Sequence, residues 1–71
     1  MYEIDTSGLS CPIPVVETKK ALKEHPEGVD VLVDSNACKE NVSRFAIASG
    51  YVPVVQKMDT KWKIQIRKKS L

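Results

Sequence analysis

The sequence predicts an α+β two-layer sandwich, β-α-β-α-β-β, with two helices on one face of a four-stranded mixed sheet. Three observations lead there. Two segments read as helices, from Pro12 to about Glu24 and over roughly 37–49, and the second is stopped by Gly50. Between them, Val29, Val31, Leu32 and Val33 form a nearly continuous apolar run, the pattern of a buried parallel strand. Near the end of the chain, Trp62, Ile64 and Ile66 alternate with Lys61, Lys63, Gln65 and Arg67. That alternation leaves one sheet face wet and requires both helices to cover the other.

In chain order, Tyr2 and Ile4 alternate with Glu3 and Asp5, giving a short first strand. Gly8 opens the turn into the first helix, and His25-Pro26-Glu27-Gly28 stops it, since proline cannot continue a helix and glycine permits a left-handed exit. A right-handed crossover makes the first two strands parallel. Asp34, Ser35 and Asn36 supply capping side chains for the second helix. Cys38, Val42, Phe45, Ala46 and Ser49 share one of its faces. The last two strands, Tyr51–Lys57 and Lys61–Arg67, form a hairpin around a Met-Asp-Thr turn. Pro53 lacks a donor for the ladder, which places its strand at an edge.

The 71 residues allow one small domain, 1–71, whose folding buries only about 60% of the unfolded surface. Hydrophobic residues at 42% and charged residues at 28% suit a soluble globular chain. A net charge of +2 is too small to argue for nucleic acid, although Lys57, Lys61, Lys63, Arg67, Lys68 and Lys69 all fall in the last fifteen residues. No apolar run approaches the roughly 18 residues of a membrane span, and no signal peptide is evident. Cys11, Cys38 and His25 show no zinc-ligand spacing, so no metal or cofactor is expected. A cytoplasmic monomer with free thiols is the expectation.

The stretch GLSCPIP, residues 8–14, sets a cysteine directly before two prolines at a helix start. With Cys11 as the N-cap, Pro12 and Pro14 take first-turn positions whose amides have no intrahelical partner. Ile13, which precedes Pro14, is a source of irregularity in that turn. The thiol then stands at the positive end of the helix dipole, which favours the thiolate by about 0.3–1 kcal/mol, and up to ~2 when partly buried. That lowers a free-thiol pKa of about 8.5 by roughly 0.2–1.5 units. No base accompanies it: His25 lies about 20 Å away along the same helix, and reads as a cation at the helix C-terminus. Pro14 occupies the place of the second cysteine of a C-x-x-C motif, which argues against a dithiol oxidoreductase. What remains is an accessible thiol able to accept and pass on a group. On the residues alone, a small hydrophobe tucked under the turn also fits.

The surrounding pattern decides between these. Asp5, Gly8, Leu9, Cys11, Pro12 and Pro14 fill every fixed position of Asp-x-x-Gly-Leu-x-Cys-Pro-x-Pro, and the chain resembles the TusA/SirA/YedF family of sulfur carriers. The similarity runs on through VLVDSNACKENVSRFAIASGY to the hairpin, and KENVSRFAIASGY looks most like the YedF branch. The resemblance implies strand order 1-2-4-3. It implies that Cys11 accepts sulfur as a persulfide from a cysteine desulfurase and relays it to acceptor proteins, with Pro12 and Pro14 framing the thiol. Thiolation of tRNA is the destination in TusA, and a link to selenium metabolism is suggested for YedF-like members. Such a chain is a carrier, with chemistry supplied by its partners.

Other residues carry weaker expectations. Asp5 is expected to support the loop structurally, by accepting backbone N–H bonds or by ending its strand. Lys19 and Lys20 either dock an acidic partner or form a solvated face with a Glu17–Lys20 pair. An alternative function, a small RNA-binding module, rests on the basic sheet face of Lys61, Lys63 and Arg67. Trp62 points the opposite way, leaving Tyr51 as the candidate for base stacking, and direct nucleic-acid binding is not expected. Cys38 is expected to be a buried free thiol and not the partner of Cys11. Neighbouring helices pack about 8–10 Å apart, whereas an unstrained disulfide needs Cα atoms within about 7 Å.

Overall fold

Val29, Val31 and Val33 are each at most 1% exposed, and that burial makes their strand a central one. The computed structural model describes residues 2–8 and 13–69. Within them the order is β1 (Glu3–Asp5), α1 (Ile13–Glu24), β2 (Gly28–Val33), α2 (Asn36–Ala48), β3 (Tyr51–Met58) and β4 (Lys61–Lys68). The sheet runs β1-β2-β4-β3. β1 and β2 are parallel, and β4 lies antiparallel to both β2 and β3. The two-layer architecture and strand order are those expected from the sequence.

Register explains the two faces. Val29, Val31 and Val33 stand opposite Ile66, Ile64 and Trp62, so one face collects the aliphatic side chains. Ala21 and Leu22 of α1, with Cys38, Val42 and Ala46 of α2, close over it. The α2 stripe therefore holds as expected in its centre, with Phe45 half-buried and Ser49 exposed as the C-cap residue. Pro53 does lie on an edge strand, where the missing N–H is tolerated.

One boundary and one cap differ from expectation. Met58 belongs to β3 and pairs with Lys61, leaving Asp59 and Thr60 as the turn. Asp59 takes a left-handed φ of 45°, a conformation aspartate tolerates better than most residues. Ser35 alone caps α2, accepting from the Cys38 N–H at 3.1 Å, and Asp34 turns its carboxylate elsewhere.

Gly28 is the glycine the packing requires. Its φ is +136°, and a Cβ there would overlap the Ile66 carbonyl oxygen of β4. Gly28→Ala should therefore destabilise the fold by about 2–3 kcal/mol. In a domain this small that lowers the thermal midpoint by on the order of 10 °C. Thermal unfolding followed by circular dichroism measures it, and an unchanged midpoint would show that β2 and β4 do not pack so closely.

Candidate functional site

Because β1 and β2 are parallel, the connections that follow them leave the sheet on the same edge. The first connection is tied down residue by residue. The Thr6 N–H donates to the Leu32 carbonyl at 2.9 Å, and its buried hydroxyl donates to the same oxygen. The Ser7 N–H donates to Asp5 Oδ1 at 2.9 Å, and the Ser7 hydroxyl joins it there. Gly8, at φ 81°, donates its N–H to Asp34 Oδ2 at 2.7 Å. That last bond links the two connections directly.

On the far side of the motif, α1 is under way at Ile13. Pro14 is buried, and its carbonyl accepts the hydroxyl of the fully buried Thr18 at 2.7 Å. An early-turn proline lacks only an amide that has no intrahelical partner, so it can be buried without cost to the helix. Leu9, Cys11 and Pro12 lie outside the described residues, and so does the expected N-cap geometry of Cys11.

Residues 2–68 match the family described as Sulfurtransferase TusA. This chain belongs to that family. It is 39% identical over 71 residues to the "Putative sulfur carrier protein MJ0990" of Methanocaldococcus jannaschii, covering 96% of this chain and 95% of the relative. It is 32% identical over 50 residues to the "Putative sulfur carrier protein YrkI" of Bacillus subtilis, covering 68% and 67%. Among solved structures, the SirA-like protein of Desulfitobacterium hafniense superposes with a TM-score of 0.86 at 37% identity, covering 94% of this chain and 96% of that one. The segment from Asp5 to Pro14 spans the β1–α1 connection.

Asp5 does more than end a strand. Its carboxylate accepts both Ser7 donors, and Lys61 Nζ lies 3.7 Å from its other oxygen. The Ser7 hydroxyl bond, then the Ser7 amide bond, hold the Asp5 pKa below its ordinary 3.8 against the opposing effect of desolvation, and Lys61 adds to the lowering. Asp34 was expected to cap α2 and instead holds Gly8. Lys19 and Lys20 are exposed, and Lys20 lies 3.9 Å from Glu17. Lys20 also lines a groove between β1 and α1 that reaches Asp5 and Thr6.

His25 lies at the opposite edge of the sheet from the motif. Its ring stacks on Tyr2 at 4.2 Å, and its Nδ1 is 3.6 Å from Glu27. It is placed to pack the start of β1.

The basic sheet face is no bare cationic stripe. Lys61 pairs with Asp5, Lys63 with Glu3 at 3.3 Å and Asp30 at 3.7 Å, and Arg67 with Asp30 at 2.7 Å. Tyr51 spends its hydroxyl on the Pro26 carbonyl at 2.8 Å. Trp62 carries Lys57 at 4.0 Å and Lys39 at 5.4 Å from its ring centroid, cation–π contacts that occupy the ring. The features that suggested RNA binding are committed to the fold.

One expectation is corrected. Cys38 is buried at 4% exposure, as its position on the apolar stripe required, but it is disulfide-bonded and not a free thiol.

The Asp5 bonds give a pH signature. A carboxylate with a lowered folded pKa contributes stability that is fully present above 3.8 and is lost as pH falls through the folded value. NMR titration should place Asp5 below 3.8, and Ser7→Ala should move it upward. A titration at or above the ordinary value would mean that Ser7 does not hold this carboxylate.

Proposed function

We propose that this chain accepts sulfur as a persulfide on Cys11 and relays it to partner proteins. The observation that carries the reading is the complete motif, Asp5 through Pro14, lying on the β1–α1 connection of a TusA-family chain. The bonds from Asp5 to Ser7 and from Asp34 to Gly8 support it, because they brace the segment leading to the thiol. A thiol on a braced turn at a helix start needs no base of its own to be nucleophilic. A cysteine desulfurase supplies the sulfane sulfur, and an acceptor thiol removes it. Leu9, Pro12 and Pro14 frame the nucleophile, and Lys19 and Lys20 offer exposed cations on α1 for acidic partner surfaces. tRNA thiolation and selenium handling call for the same thiol, so acceptor choice rests on the surface around α1.

Incubation with a cysteine desulfurase and free cysteine should add one sulfur, removable by dithiothreitol, and Cys11→Ser should abolish the adduct while keeping the fold. Stoichiometric loading of Cys11→Ser would overturn the assignment. In filter binding the protein should ignore RNA; tight retention with a steep salt slope would favour the RNA-binding reading instead.

A further inference from the structure

Trp62, the chain's single tryptophan, stands at the sheet edge from which the β1–α1 and β2–α2 connections leave. It pairs with Val33, the last residue of β2, and its ring packs half-buried against the core. Two ammonium groups converge on that ring. Lys57, paired with Trp62 across the hairpin, lies 4.0 Å from the ring centroid, and Lys39, in the first turn of α2, lies 5.4 Å from it. The two charges are thus no more than about 10 Å apart, roughly one Debye length at 0.1 M salt. Lys61, Lys63 and Arg67 are each matched by a carboxylate, whereas neither Lys39 nor Lys57 forms an ion pair among the described residues. The ring attracts the ammoniums but does not neutralise them. The first turn of α2 holds no acidic residue, so the partial positive charge of the helix start adds to theirs. On the same face of β3, two residues before Lys57, Val55 is 43% exposed although its partner Ile64 is fully buried.

We propose that Lys39, Lys57, Trp62 and Val55 form a docking surface for an acidic segment of a partner protein. A carboxylate of that segment sits between the two ammoniums, and an apolar side chain beside it covers Val55. Charge complementarity selects this occupant: the carboxylate relieves a like-charge repulsion that the free chain leaves uncompensated. Both lysines are already held by the ring, so binding costs little further side-chain freedom. RNA fits less well, because the ammoniums lie over the ring that a base would need for stacking. The surface is built from α2 and the hairpin and is distinct from Lys19 and Lys20 on α1. It stands on these side chains alone and does not depend on the sulfur chemistry.

The test uses the full chain and the probe peptide acetyl-Glu-Glu-Leu-Glu-Glu-amide at low ionic strength, read by Trp62 fluorescence and by amide NMR shifts. Titration into the millimolar range should give a saturable change, with shifts centred on Lys39, Val55, Lys57 and Trp62, and binding should weaken as salt is raised. Lys39→Gln and Lys57→Gln should each weaken it about two- to fivefold with the circular dichroism unchanged. Lys23→Gln, on the exposed far end of α1, should leave it as it is. Serine in place of the peptide's leucine should lower the affinity. Shifts centred on α1, an equal response to inorganic phosphate, or tighter binding of oligouridylate than of the peptide would overturn the assignment, in favour of another surface, a bare anion site or RNA. Absence of a saturable response would also overturn it, and would leave the persulfide reading standing.

Discussion

The parallel pairing of β1 with β2 is the constraint on which the rest of the structure depends. It brings the segments after both strands to one sheet edge, so that Gly8 can give its amide to Asp34. It also keeps His25 at the other edge, stacked on Tyr2. Among the described residues, the site edge therefore offers carboxylates and amides, and the chain's histidine lies elsewhere. The proposed relay needs only a nucleophile there, with the rest of the chemistry brought by a partner.

Electrostatics at this edge is a contest between two effects. Asp5 and Asp34 are anions near the motif, and unpaired carboxylates raise the pKa of a neighbouring thiol. Here both are engaged: Asp5 by two Ser7 donors and Lys61, Asp34 by the Gly8 amide. Their charge is directed into the loop that they brace. A helix start acts in the opposite sense, favouring a thiolate placed at it. On the far face of the sheet the same principle operates on a larger scale, with Lys63 and Arg67 converging on the nearly buried Asp30.

The fold was legible because its signals are local and periodic. The valines of β2, the alternation of Trp62, Ile64 and Ile66, and the Cys38-Val42-Ala46 spacing each name a buried face without reference to distant residues. The motif itself was legible as a contiguous string. Asp34 was misread because a cap and a tether use the same residue type, and its partner is 26 positions away. The basic face was overstated for a similar reason. Lys61, Lys63 and Arg67 are visible in one strand, while Glu3, Asp5 and Asp30 come from two others that register alone brings alongside. Cys38 was placed correctly under its helix, but periodicity reports the burial of a sulfur and not its bonding.

The central claim is that the helix start outweighs the engaged carboxylates and leaves Cys11 a nucleophile at neutral pH without a base. The most direct measurement is the thiol titration of Cys11 in the reduced Cys38→Ala protein, read from alkylation rate against pH. The account predicts a single transition with a midpoint below the free-thiol value of about 8.5. A midpoint at or above about 8.5 would mean that the carboxylates or burial prevail, and would contradict the account.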